Sequence, residues 1–201
     1  MRESISSWWL AGFLTLLAAG GGGCGSAPAT DSQVAATPAE TAQDMAQQVP
    51  VQETVPEGVV NYTRIDATVA CAGATPPEAM AGLKDLGFAA VINFRTAEER
   101  GATVDAGRVA AEAAGLRYHH IPFREATAEV AETFLRTVAD PSNQPVYIHC
   151  GSANRVGAMW MIKRVKIDGW SVDDAIAEAE TIGLRSQGLK EFAIEYVRDG
   201  V

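Results

Sequence analysis

One cysteine and one arginine lie close enough along the chain to act on the same anion. Cys150 and Arg155 are separated by four small or polar residues, Gly151, Ser152, Ala153 and Asn154. A cysteine thiolate is a nucleophile, and a planar guanidinium group binds two oxygens of one anion at once. The string therefore predicts a loop in which a sulfur nucleophile lies beneath a bound oxyanion.

The residues on either side predict the local structure that such a loop needs. Pro145 to His149 has the pattern of a buried strand, and a helix is predicted from about Arg155 to Lys166. Cys150 would then face unpaired backbone N–H groups and the positive end of a helix dipole, which stabilise a thiolate and bind an oxyanion. We expect residues 151–154 to contribute anion-binding amides. The alternative is a cysteine that merely packs in the core.

Strands and helices alternate along the rest of the domain. Strands are predicted over Ile65–Ala70, Phe88–Phe94, Arg117–Phe123 and Pro145–His149; helices are predicted after Pro76, over Val104–Ala114 and Ala128–Val138, from Arg155, and over Val172–Ile182 and Leu189–Val197. This alternation predicts an α/β fold of three layers, with a mostly parallel central sheet flanked by helices and the Cys loop between a strand and a helix.

Other polar side chains follow the predicted strands at the edge where parallel sheets bind ligands. Arg95 follows one strand and is expected either to line the anion pocket or to pair with Glu98 or Glu99. Glu125 follows another strand. His149 is expected to support the loop through hydrogen bonds to the backbone.

The first residues predict export. Trp8 to Ala19 is apolar but short for a membrane span, and small residues then precede Cys24. We interpret residues 1–24 as a signal segment of lipoprotein type, with Cys24 as the lipidated residue on the periplasmic side of a bacterial membrane. Simple secretion and an uncleaved anchor remain alternatives. Residues 25–56 are acidic and lack aromatic residues, which predicts a disordered tether before a domain over 57–201.

Several sequence segments resemble the bacterial protein-tyrosine-phosphatase-like domains of beta-lactamase hydrolase-like proteins and their relatives fused to NAD kinase. They are Val91 to Arg95, Gly115 to Pro122, His149-Cys150 with Asn154 to Trp160, and Asp168 to Val172. The resemblance covers about Tyr62 to Tyr196.

The resemblance implies a cysteine-dependent hydrolase of phosphate monoesters that needs no cofactor or metal. Cys150 would attack phosphorus to form a phosphocysteine, and Arg155 would hold the phosphoryl oxygens. Such enzymes use an acid to protonate the leaving oxygen, and Glu125 is the carboxylate that follows the right strand. The implied substrate is a small phosphorylated molecule or a phosphoprotein.

Two departures leave alternatives open. Phosphatase loops usually place five residues between Cys and Arg, whereas the spacing of four here is shared with rhodanese-type sulfurtransferases, which would use a persulfide on Cys150 and a sulfur-anion substrate. Ala153 stands where such loops usually have Gly, and Val156 stands where they usually have Ser or Thr. These two differences favour a third hypothesis, a catalytically silent, tethered anion-binding domain.

Two further features bear on function. The net charge of −9 and the absence of basic clusters exclude a nucleic-acid surface. We expect contact with a membrane only through the N-terminal lipid. Cys71 is expected to be a buried free cysteine, with pairing to Cys150 in an oxidising compartment as the alternative.

Overall fold

The computed structural model describes residues 53–199. The proposed signal segment, Cys24 and the tether up to residue 52 lie outside the described residues. Glu53, the first described residue, already contacts the domain: it accepts a hydrogen bond from the Tyr62 hydroxyl and lies 3.5 Å from Arg64. No helix within residues 53–199 is long and apolar enough to cross a membrane.

A five-stranded sheet forms the centre of the domain. Its strands are β1 (Thr63–Asp66), β2 (Val69–Ala72), β3 (Ala90–Asn93), β4 (Arg117–His120) and β5 (Val146–His149), in the spatial order β1-β2-β5-β3-β4. Only β1 runs antiparallel to its neighbour. Every residue of β2, β3 and β5 is buried, as expected for strands covered on both faces.

Within residues 53–199, six α-helices connect and follow the strands. They are α1 (Ala79–Asp85), α2 (Val104–Ala113), α3 (Ala128–Ala139), α4 (Asn154–Lys166), α5 (Val172–Ile182) and α6 (Gln187–Asp199), with a short 3-10 turn over Pro141–Asn143. Side chains of α1 and α2 pack on one face of the sheet with Phe88 and Tyr147. Side chains of α3 to α6 pack on the other face with Phe94 and Ile148. The predicted three-layer α/β fold is confirmed.

One predicted strand is wrong in detail. The segment predicted as a single strand over Ile65–Ala70 is a hairpin of β1 and β2, because the chain turns at Asp66. The Asp66 carboxylate accepts hydrogen bonds of 2.7 Å from both the amide and the hydroxyl of Thr68. Such side-chain bonds to the following backbone favour a turn over an extended strand.

The parallel strands end at the same level of the sheet. Asn93 at the end of β3 lies opposite His149 of β5 on one side and His120 of β4 on the other. The segments that follow these three strands therefore meet at one edge, which is where ligands bind in parallel α/β sheets.

Candidate active site

Cys150 lies directly after β5, at the base of a loop that leads into α4. It is almost fully buried, with an exposed fraction of 1%. The amides of Gly151, Ser152 and Ala153 donate to no acceptor within residues 53–199. A thiol below a ring of unsatisfied amides at a helix N-terminus is suited to bind an oxyanion above the sulfur.

Ala153, which stands where a Gly is usual, has a strained backbone. Its φ of +69° is in the left-handed region, which costs an alanine about 1 kcal/mol relative to glycine. The methyl group of Ala153 is fully buried against Gly183: a Cβ built on Gly183 would lie 3.0 Å from it. The close approach of the two backbones helps to hold the loop in this conformation.

Two asparagines hold the loop from opposite sides. The Asn154 carbonyl oxygen accepts hydrogen bonds from the amides of Arg185 (2.6 Å) and Ser186 (2.8 Å), in the turn between α5 and α6. The Asn61 amide donates to the Ser152 carbonyl at 3.4 Å, and Asn61 itself has a positive φ of 51°. Because local strain persists only where surrounding contacts maintain it, these bonds indicate a loop held in one shape.

Arg155 is bound on one side by a carboxylate that sequence patterns did not pair with it. Its Nη1 lies 2.7 Å from Oε1 of Glu99, and its Nη2 lies 2.8 Å from Oε2. Nη1 also donates to the carbonyls of Phe94 (2.8 Å) and Phe123 (2.6 Å), which follow β3 and β4. The guanidinium group therefore ties together the segments that follow three strands.

This arrangement leaves one edge of Arg155 open. A guanidinium group has five N–H groups, and the bonds to Glu99 and the two carbonyls engage those on the outer side. Nε and the second hydrogen of Nη2 have no oxygen acceptor within residues 53–199. They point in parallel, and parallel N–H groups bind two oxygens of a tetrahedral anion. Burial lowers the pKa of Arg155, but the hydrogen bond to Glu99 and the adjacent Cys150 sulfur outweigh it and raise the pKa.

Glu99 is held ionised by its partners. Burial raises the pKa of Glu99, but hydrogen bonds from Arg155 and the Thr96 amide, together with the charges of Arg155 and Arg95, outweigh it and lower the pKa to about 2. Arg95 pairs with Glu99 at 3.4 Å and donates to the carbonyls of Arg100 and Gly101. Of the two predicted roles for Arg95, the structure shows the pairing role.

A cavity of about 520 Å³ opens beside Arg155 and Asn154. Its remaining lining residues come from the turn after β3, the loop after β4 and the start of α6: Glu98, Glu99, Arg100, Arg124, Ser186 and Leu189. Glu125, the carboxylate singled out from sequence, is exposed and does not line this cavity, whereas its neighbour Arg124 does. The chain bends at Arg124 and Glu125, and of these two side chains only Arg124 reaches the cavity.

His149 is buried but makes none of the hydrogen bonds predicted for it. Neither ring nitrogen has a partner within residues 53–199, and the ring packs 5.9 Å from that of Tyr147. Burial, reinforced by the charges of Arg95 and Arg155, lowers the pKa of His149 to about 3. The ring is therefore neutral over the physiological range and acts through packing.

Cys71 is a free, fully buried cysteine, as expected. It lies in β2 opposite Ile148 and belongs to the same core cluster as Cys150. Burial raises the pKa of the Cys71 thiol well above its usual range. Cys71 is therefore a protonated core residue, and no disulfide joins it to Cys150.

The residues that sequence reasoning missed share one property. Glu98 at the cavity, Glu99 as the partner of Arg155, and Asn61 all reach the loop from distant parts of the chain. The one available hint was that Glu98 and Glu99 follow Arg95 at the end of a predicted strand. Their placement near Arg155 depends on β3 lying next to β5, which no local pattern reveals.

Residues 61–167 match the family model described as beta-lactamase hydrolase-like protein, phosphatase-like domain. The chain belongs to this family. The prediction of a phosphatase-like chain is thereby confirmed, while the likeness to domains fused to NAD kinase stays a prediction. No curated protein matches the chain.

Solved structures share the fold of this phosphatase-like domain. A protein of Shewanella putrefaciens CN-32 that is described as a candidate phosphatase is 18% identical, with 72% of this chain and 92% of that chain covered and a TM-score of 0.61. P. aeruginosa TpbA is 24% identical, with 70% and 84% covered and a TM-score of 0.54. The core catalytic domain of the PP-IP phosphatase SIW14 from S. cerevisiae is 17% identical, with 70% and 86% covered and a TM-score of 0.56.

Replacing Glu99 by Gln tests the charge pair at Arg155. Because Glu99 has a lowered pKa in the folded domain, it stabilises the fold above its ordinary pKa of 4.5, and the effect is lost as pH falls towards 2. After allowance for solvent screening we expect Glu99→Gln to lower the free energy of unfolding by about 2 kcal/mol at pH 7. Urea titrations should show this difference shrinking between pH 4.5 and pH 2; a difference that is independent of pH would contradict the charge pair.

Proposed function

We propose that this domain hydrolyses phosphate monoesters through a phosphocysteine at Cys150. The observation that carries the proposal is the open edge of Arg155 beside the unsatisfied amides of the Cys loop. Glu99 and two carbonyls orient the guanidinium group from behind, so its Nε and Nη2 groups are presented to the anion without rearrangement. Donors fixed in advance are the main source of electrostatic stabilisation in active sites.

The reaction has two displacement steps at phosphorus. In the first, the Cys150 thiolate forms a bond to phosphorus while the bond to the ester oxygen breaks and that oxygen takes up a proton. In the second, water attacks phosphorus, loses a proton and displaces the thiolate, which releases inorganic phosphate. Arg155 and the amides of residues 151–153 bind the equatorial oxygens in both steps, and Cys150 is regenerated.

Glu98 is the carboxylate placed to exchange these protons. It lines the cavity together with Arg155, and it is free of the ion pairs that hold Glu99. Hydrogen bonding to its own backbone, with a contribution from Arg124, lowers the pKa of Glu98. The acid form is therefore scarce at neutral pH, which favours the first step in mildly acidic solution and leaves the ionised form to activate water.

The short loop gives a second candidate function. Four residues between Cys150 and Arg155 form a smaller ring of amides than five, and a smaller ring suits sulfur transfer through a persulfide on Cys150. Two solved structures with the same fold favour the phosphatase hypothesis: one is TpbA with a cysteine replaced by serine in complex with pTyr, and the other is a PP-IP phosphatase. The substrate is accordingly a phosphorylated molecule or phosphoprotein.

Replacing Cys150 by Ser distinguishes the two chemistries. Under reducing conditions, Cys150→Ser should lower the release of phosphate from p-nitrophenyl phosphate by at least about 1000-fold, because the serine hydroxyl is not ionised. Cys71→Ala, the matched change at the other described cysteine, should retain activity.

The same proteins are also given thiosulfate and cyanide. If the wild type forms thiocyanate without hydrolysing the ester, and Cys150→Ser forms none, the domain is a sulfurtransferase and the phosphatase proposal is wrong. Equal behaviour of wild type and Cys150→Ser in both assays, with orthovanadate still bound, would identify a silent anion-binding domain.

Glu98→Gln and Glu125→Gln locate the proton donor. For phenyl phosphate, a poor leaving group, we expect Glu98→Gln to lower kcat about 100-fold and to abolish the rise in kcat as pH falls from 7 to 5. For p-nitrophenyl phosphate, a better leaving group, the loss should be smaller. If Glu125→Gln shows these effects instead, the donor lies in the loop after β4, as the sequence suggested.

We also propose that the chain is exported and lipid-anchored, with residues 1–24 as the signal segment, Cys24 as the lipidated residue, and a tether before the domain. The apolar stretch, the small residues before Cys24 and the composition of residues 25–56 support this organisation. In a bacterial host the full chain should take up labelled palmitate and sediment with membranes, and Cys24→Ser should do neither. Labelling that persists in Cys24→Ser would contradict lipidation at this residue.

A further inference from the structure

We propose that the substrate is a small phosphate ester that carries a second phosphate group, which Arg100 and Arg124 bind at the cavity mouth. The inference rests on the proposed function, because it assumes that the scissile phosphate occupies the Cys loop. It adds the class of substrate that this loop receives.

The first support is the position of the two arginines. Arg100 belongs to the turn after β3 and Arg124 to the loop after β4, and both line the cavity that contains Arg155. Both side chains are exposed, and neither forms an ion pair within the described part of the chain. By contrast, the neighbouring Arg95 and Arg155 form ion pairs with Glu99.

The second support is the size of the cavity. Its volume of about 520 Å³ is that of an open surface cavity large enough to hold a small molecule. Arg155 and Asn154 bring this space to the edge of the Cys loop, although Cys150 itself is not among its lining residues. The remainder is lined by charged and polar side chains with one apolar residue, Leu189, so the rest of the substrate is polar.

The third support is the local charge. A second cavity of about 640 Å³ adjoins the first at Ser186 and contains Arg185 and Lys190. Together the two cavities are lined by five cationic side chains and three carboxylates, although the chain as a whole has a net charge of −9. A positive region on an acidic protein concentrates anions at that region.

Arg100 and Arg124 are the cations of the two cavities that have no carboxylate or carbonyl partner among the described residues, so we assign the second phosphate to them. Lys190 in the adjoining cavity is paired with Glu180, and Arg185 donates to the carbonyls of Glu180 and Leu184. At the mouth itself, the one carboxylate without an ion pair is Glu98. Two unpaired arginines therefore face a single free carboxylate, and the excess positive charge lies beside the phosphoryl site.

Equilibrium binding to the Cys150→Ser protein tests the inference separately from catalysis. Fructose 6-phosphate and fructose 1,6-bisphosphate serve as a pair of probes that differ by one phosphate. We expect the bisphosphate to bind roughly ten times more tightly, as two exposed charge contacts would give. In a protein that also carries Arg100→Gln and Arg124→Gln, this preference should fall below about threefold.

A matched control changes two arginines away from the cavity. Arg108 and Arg136 are exposed on α2 and α3 and pair with Glu112 and Glu132, so Arg108→Gln with Arg136→Gln alters the net charge equally. The preference for the bisphosphate should persist in this control. An equal affinity for both probes, or equal losses in the two double variants, would overturn the inference.

The two proposals fail in different ways. If Cys150-dependent hydrolysis of p-nitrophenyl phosphate is absent but the bisphosphate preference depends on Arg100 and Arg124, the phosphatase chemistry is wrong and the recognition of a second phosphate stands. If hydrolysis is present without that preference, the chemistry stands and the substrate class is wrong.

Discussion

The pairing of Arg155 with Glu99 is the interaction on which the rest of the site depends. Arg155 begins α4, Glu99 follows β3, and the Phe123 carbonyl that also binds Arg155 follows β4. A single guanidinium group thus joins the carboxyl-terminal side of three neighbouring strands. A free arginine side chain has many rotamers, and the loss of that freedom on anion binding is smaller when fixed partners already orient the group.

The same pairing explains why two partly buried charges are tolerated near a nucleophile. An ionised carboxylate alone beneath the loop would repel both the thiolate and the incoming phosphate. Glu99 instead lies between two arginines, so its negative charge is compensated before an anion arrives. The net charge left beside the sulfur is positive, which is the sign that thiolate chemistry requires.

The parts of the molecule that could be predicted are those determined by neighbouring residues. Continuous apolar runs identified β3 and β5, apolar periodicity identified the helices, and the spacing from Cys150 to Arg155 identified the loop. Prediction failed where the structure depends on a single side chain or on a contact between residues that are far apart in the sequence. The Asp66 carboxylate turned an expected strand into a hairpin, and the pairing of β3 with β5 brought Glu99 to Arg155.

The turn between α5 and α6 lies directly on the Cys loop. A Cβ built on Gly157 would lie 2.8 Å from the Ala179 carbonyl oxygen and 3.0 Å from Leu184, and Asn154 binds two amides of the same turn. These contacts come from residues beyond 167, where the match to the family model ends. The segment that matches the family model and the unit that holds the Cys loop therefore have different boundaries: a fragment cut at residue 167 would keep the sulfur and the guanidinium group, but it would lose the support that holds them in shape.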